Sequence, residues 1–349
     1  MDIRDLLLLA VQQEASDLHL SPGLPPLLRR GGDLLPIKGP ALDRAAAQRL
    51  VYSLMTDGQR ARFEEARELD FAITLDQRLR FRINVFVQER GVAAALRPIP
   101  LTIPSLESLG LPDVLLQVAE FPTGLVLVTG PTGSGKSTTL AALVDLINTL
   151  RAVHIVTIED PIEFIHHPKQ ALVSQREVGT HTTSFASALR AALREDPDVL
   201  LVGEMRDLDT VSLALTAAET GHLVLATLHT TSATSAVHRV LDVFPAGQQA
   251  QVRAMLAQSL ELVLTQRLAR TTDGRRTPVV EVLRGVPGVR NLIRENKVHQ
   301  IPALIETGQR YGMISLERSL SNLVAQGRVS AEEARRVLLE TAEAPVPSP

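Results

Sequence analysis

Leu125-Val126-Leu127-Val128-Thr129-Gly130-Pro131-Thr132-Gly133-Ser134-Gly135-Lys136-Ser137-Thr138 is the stretch on which the fold turns. A wholly apolar run gives way to a glycine-rich loop, and the loop to a helical pattern, TTLAALVDLINTL. The loop fits G-x-x-x-x-G-K-[ST], in which backbone N–H groups curl around β- and γ-phosphates. Lys136 supplies a point charge, and the Ser137 hydroxyl is the Mg²⁺ ligand. The helix that follows aims its N-terminus at the anion. Only four lysines occur in the chain, and one stands here. At the chain's own frequencies the pattern arises by chance about twice per thousand such chains. Thr132, Gly133, Ser134, Gly135, Lys136, Ser137 and Thr138 are therefore the expected nucleotide-binding residues, and ATP with Mg²⁺ the expected ligands.

Working outward, short apolar strands recur at 154–158, 199–202 and 223–227, with helical segments between them. Such strands are buried on both faces, which predicts a mainly parallel sheet in an α/β domain. The strand at 199–202 runs through Gly203 to Glu204, a carboxylate placed to hold Mg²⁺ directly or through water. Between this strand and the loop, Glu159, Asp160 and Glu163 crowd a strand end, where open α/β sheets bind ligands. Hydrolysis needs one carboxylate for the water and another for the metal, which nominates Glu163 and Glu204; Glu159 reads better as a solvated acid. His222 and His229 bracket the strand at 223–227. No third ligand at metal spacing accompanies them. His229, at the loop end of its strand, is the better placed to meet a γ-phosphate; a structural histidine is the other reading.

From residue 246 to 340 the pattern predicts mostly amphipathic helix. Ahead of the sheet, the first hundred residues read as a small α+β unit. It has a helix at 6–14, a strand at 17–20, and a hairpin turning at Arg30-Gly31-Gly32-Asp33. Two helices (44–54, capped by Asp43, and 59–67) and strands at 70–75, 79–88 and 92–97 complete it. In the 79–88 strand, Leu79, Phe81, Ile83, Val85 and Val87 alternate with Arg80, Arg82, Asn84 and Gln88. A period of two sends the first set to a core and the arginines to the opposite face. Pro98, Pro100, Pro104 and Pro112 mark a linker. The expected division is 1–98, a linker and connecting helix at 99–120, an ATPase domain at 121–341, and a disordered tail at 342–349.

The 349 residues carry 36 Lys+Arg against 39 Asp+Glu and are 45% hydrophobic. Folded cores are assured. A net charge of −3 without a basic, aromatic strand-binding segment argues against a nucleic-acid partner. Cysteine is absent, which removes disulfides, thiol catalysis and cysteine zinc sites. The apolar run at 6–11 is too short for a signal-peptide core, and no run approaches a spanning helix, so a cytoplasmic protein is expected.

Four segments in order, GPTGSGKSTT, TIEDPIEF, LREDPDVLLVGEMRD and TGHLVLATLHTTSA, resemble the Walker A, Asp, Walker B and His boxes of the secretion-superfamily ATPases. ASDLHLSPGLPP, RFRINVFVQERG and VRNLIRE extend the resemblance nearly end to end, toward the type IV pilus retraction branch. The resemblance implies a PAS-like N-terminal domain, a RecA-like ATPase domain and a hexameric ring with ATP at subunit boundaries. It implies Glu163 as catalytic glutamate, Glu204 as Walker B glutamate, and His222 and His229 as the His-box pair. Arginines of the N-terminal domain near the phosphates are also implied; Arg82, Arg97 and Arg80 are offered, with a solvated arginine face as the alternative. The expected partners are sister subunits and an inner-membrane pilus platform protein, with membrane association only through them. The retraction motif usually opens with Ala-Ile where this chain has Gly288-Val289. Arg290, Asn291 and Arg294 are expected to project away from the Val289/Leu292/Ile293 face. A pilus-assembly or type II secretion ATPase is the alternative. Those generally carry a longer N-terminal region and a four-cysteine module. A RecA-like nucleic-acid translocase is more remote.

Overall fold

The computed structural model describes residues 2–75, 79–99 and 102–342. The chain divides into two compact units, Met1–Thr102 with Pro161–Ile165, and the remainder.

In the first unit, Asp2 accepts from Arg4 N and opens α1 (Ile3–Gln12). β1 (Asp17–Leu20), β2 (Leu27–Arg30) and β3 (Asp33–Pro36) follow, the last two pairing Arg30 with Asp33 at the glycine turn. Asp43 caps α2 (Arg44–Tyr52), and a Thr56/Gln59 capping box opens α3 (Asp57–Ala66). β4 (Glu68–Leu75), β5 (Leu79–Gln88) and β6 (Gly91–Ile99) complete an antiparallel sheet ordered β3-β2-β1-β6-β5-β4. One face packs on the helices, with Leu7, Val51 and Phe63 against Leu18, Phe81, Ile83 and Leu96. One expectation from the β5 alternation fails, and the arginine face is covered in part. Val87 is exposed because it lies at the turn end of the β5–β6 pair, opposite Val92. Arg80 is buried because residues 161–165 cover its face of the sheet.

The second unit begins before the expected linker ends. Leu106, Leu111, Val114, Leu115 and Val118 are buried in its core, so residues 103–120 are packed structure and not a spacer. Pro100 lies outside the described residues. Next come β7 (Gly124–Thr129), α4 (Lys136–Leu150), β8 (His154–Glu159), β9 (Leu172–Glu177) and α5 (Phe185–Ala192). β10 (Val199–Val202), α6 (Leu208–Glu219), β11 (Leu223–Leu228), α7 (Ala233–Asp242) and α8 (Gln249–Ser259) follow. The chain then forms β12 (Leu260–Arg270) and β13 (Arg276–Arg284), where helix was expected, before α9 (Pro287–Arg294), α10 (Ile301–Thr307), α11 (Leu316–Ala325) and α12 (Ala331–Ala342). The sheet order is β13-β12-β7-β11-β10-β8-β9, parallel except for β13. Residues 103–120 and α4 cover one face of the sheet, and α5 to α8 the other. This is the mainly parallel α/β sheet that the apolar strands foretold, in the RecA-like form that the resemblance implied. α12 runs one residue into the stretch expected to be a tail; residues 343–349 lie outside the described residues. Among the described residues no helix is long and apolar enough to cross a membrane.

Candidate functional site

The glycine-rich loop joins the C-terminal end of β7 to α4, and every residue of β7 is buried. Gly130 has φ +142°, and a Cβ there would come within 2.2 Å of the Gln266 carbonyl, so only glycine lets the loop leave the strand against β12. α5, α6 and α7 are capped by the side chains of Ser184, Asp207 and Ser232. α4 instead starts at Gly135 with no capping side chain. Its N-cap residue thus offers the first-turn N–H groups no side-chain acceptor, as suits an anion-binding terminus. Lys136 Nζ folds back onto the carbonyls of Gly130 and Pro131 at 2.9 and 3.0 Å. A buried ammonium held over the loop by carbonyl oxygens is positioned to meet phosphate oxygens. Ser137 is exposed on the first turn, with Thr138 half-buried beside it.

One contributor lies far from any motif. Gln266 of β12 is 3% exposed; its Nε2 donates to Ser134 O (2.8 Å) and its Oε1 accepts from Thr139 Oγ1 (2.7 Å). The amide ties the loop to the helix it opens. Beside it, Thr265 and Thr129 hydroxyls meet at 3.0 Å across the β12–β7 pair. No spacing rule announces such a residue; a buried-strand reading of 260–270 was the signal available.

Glu204 follows β10 at the same sheet edge. Arg206 Nε lies 2.5 Å and His229 Nε2 3.2 Å from its Oε1. Burial works to raise the Glu204 pKa, but the Arg206 hydrogen bond and the charges of His229 and Arg206 outweigh it and hold it below the ordinary value. The carboxylate is therefore ionised and available to a cation. His229 joins it there; His222 does not. His222 precedes β11 at the opposite edge, bonded through Nδ1 to Ala217 O, and its own carbonyl accepts from Gly124 N. Six strand residues at about 3.3 Å each put it roughly 20 Å from the loop end, because a residue before a parallel strand and one after it face opposite sheet edges. Glu159 is half-buried and accepts from Thr157 Oγ1 (2.7 Å) and Gln175 Nε2 (3.3 Å), so it is not the solvated acid expected.

Glu163 belongs to the first unit. Its carboxylate accepts from Arg82 at 3.0 Å, and Arg82 also forks onto Asp70. Burial alone would lower the Arg82 pKa, but these two carboxylates raise it. Arg97, directly opposite Arg82 in the β5–β6 register, pairs with Asp17 at 2.9 Å. Arg290 overturns another expectation. It turns inward, to the carbonyls of Gly285, Ala257 and Gln258 and to Glu261 at 2.6 Å, stapling the end of α8 to β12. Val289 and Ile293 are buried and Leu292 half-buried, while Asn291 and Arg294 are exposed.

The loop, the helix and the sheet around them define a P-loop nucleotide-binding protein of RecA type. The chain belongs to the type II/IV secretion system protein family, whose profile matches residues 2–336. It is 53% identical over 335 residues to the type IV pilus retractation ATPase PilT of Pseudomonas aeruginosa, covering 96% of this chain and 97% of that one. It is 53% identical over 312 residues to a twitching motility protein of Neisseria gonorrhoeae, covering 89% and 83%. The crystal structure of the pilus retraction motor PilT with bound ADP matches at a TM-score of 0.89 and 46% identity, over 99% of this chain and 98% of that one.

Proposed function

We propose that this chain is an ATP-hydrolysing motor that powers type IV pilus retraction. The observation that carries the ATPase reading is the uncapped start of α4 beneath a loop that holds Lys136 inward. End-to-end similarity to retraction ATPases carries the direction of work. Lys136 and the loop N–H groups hold the β- and γ-phosphates. Ser137, and Glu204 directly or through water, would hold Mg²⁺, which when bound would supply positive charge to the phosphoryl group. The donors fit such an ion: Ser137 is exposed and Glu204 ionised. Among the described residues no cluster of three metal-binding side chains exists. Glu163 serves as general base toward the attacking water, His229 senses the γ-phosphate beside Glu204, and Arg82 and Arg97 contribute positive charge. The working form is a hexamer on the cytoplasmic side of the inner membrane, engaging a platform protein of the pilus machine.

Lys136→Ala should lower ATP turnover by roughly two orders of magnitude or more, because the cradle loses its charge. Glu204→Ala should bind nucleotide and fail to hydrolyse it. Near-normal turnover by the purified Lys136 variant would refute the assignment; loss of nucleotide binding by the Glu204 variant would mean that its role is misread.

A further inference from the structure

We infer that Arg80 is a positioning residue that fixes the backbone of the Glu163 segment to the N-terminal unit. The inference rests on the reading of Glu163 as general base. Arg80 and Arg82 sit two apart on β5 and face the same side of the sheet, yet they hold residues 161–165 differently. Arg82 meets the Glu163 side chain and divides itself with Asp70, both of which are partly exposed. Arg80 is 9% exposed, and its Nη2 donates to the backbone carbonyl of Ile162 at 2.6 Å. Its Nη1 donates to Thr74 Oγ1 at 2.9 Å, and Thr74 is its register partner on β4. Ile162 and Phe164, on either side of Glu163, are each 5% exposed.

The segment's flanks are tied elsewhere. On the near side, Gly203 N donates to Ile158 O, as part of the β8–β10 edge. On the far side, His166 N donates to Gln175 Oε1, and Asn148 of α4 bonds both His167 O and Lys169 N. A five-residue strap thus leaves the ATPase unit and returns to it, while its middle packs with the N-terminal unit. A bond to a carbonyl fixes where the backbone runs whatever the side chain does, and a charged donor to a buried acceptor is the strong kind. Without Arg80 the Ile162 carbonyl loses a charged donor from β5, and the strap is free to shift away from the sheet. A misplacement of about 1 Å at a reacting group can cost about 10²-fold in rate. Arg80 therefore acts on turnover through Glu163 and has no part in holding phosphate.

The test compares Arg80→Gln, Arg80→Lys and Glu163→Gln in the assembled full-length protein. The readouts are kcat and KM for ATP, affinity for a fluorescent ADP, and hydrogen exchange of residues 162–165. Arg80→Gln should lose tenfold or more in kcat with ADP affinity within twofold of wild type. Exchange at 162–165 should rise at least tenfold while β8 stays protected, and Arg80→Lys should recover part of kcat. Unimpaired kcat in Arg80→Gln beside an inactive Glu163→Gln overturns the inference alone. Full turnover by Glu163→Gln overturns the general-base reading and the inference with it. Parallel losses of affinity and kcat would make Arg80 a phosphate ligand and overturn it too. Should Arg80→Gln fail to fold, unchanged exchange at 162–165 in Arg80→Lys contradicts the inference and faster exchange supports it.

Discussion

His166 shows how much a single residue of this fold can weigh. It is 6% exposed, and its Nδ1 is buried without a hydrogen-bond partner. Burial pushes its pKa down to about 4; Asp145 opposes the shift, while Lys169 and His167 add to it. The unfolded chain takes up this proton near pH 6.5 and the folded chain only near 4. Stability from this site is therefore complete above about pH 6.5 and is lost as the pH falls toward 4. A shift of this size is worth about 3 kcal/mol. His166→Leu should accordingly lose about 3 kcal/mol less than wild type between pH 7 and pH 4, measured by urea unfolding. Parallel losses in the two proteins would refute the argument. At the same scale, Lys136 was legible in the sequence because a phosphate cradle demands fixed spacing over eight residues. Gln266 was not, since its partners Ser134 and Thr139 stand more than a hundred residues away in sequence. The burial of Arg80 was not legible for a related reason. Alternation along β5 tells which face a side chain takes, and the segment that covers that face comes eighty residues later.

At the scale of elements, the parallel strands and the glycine hairpin at 30–33 were readable from apolar runs and turn chemistry. The β12–β13 hairpin was not. Its strands hold Leu, Val and Ala on both faces, because the sheet is covered on both sides, so the period of two is blurred. The turn signal was present in Asp273-Gly274, with Gly274 at φ +83°. The retraction-motif helix α9 also gains a meaning that its pattern did not carry. Arg290 anchors it to Glu261 at the start of β12, the strand whose other half meets β7 through Thr265 and the loop through Gln266. Gly288 in α9 has room to spare: a methyl group there would meet only Leu304 Cδ1, at 3.6 Å. Gly288→Ala should stabilise the protein by about 0.5–1 kcal/mol, by restricting the unfolded chain and favouring the helix. A lowered urea midpoint in that variant would show that the helix start is tighter than the structure indicates.

Across the whole molecule, the proposed general base and the phosphate cradle fall in different compact units, Glu163 with the N-terminal sheet and Lys136 with the ATPase sheet. The proline cluster announced two units; it could not announce that residues 161–165 would pack with the first. The central claim is that this ATPase withdraws pili. Its most direct test is to replace the chain in its own cells by the Lys136→Ala variant, count surface pili and follow their retraction. The account predicts cells that keep or accumulate pili, fail to retract them and do not twitch; bald cells would place the protein on the side of assembly and contradict it.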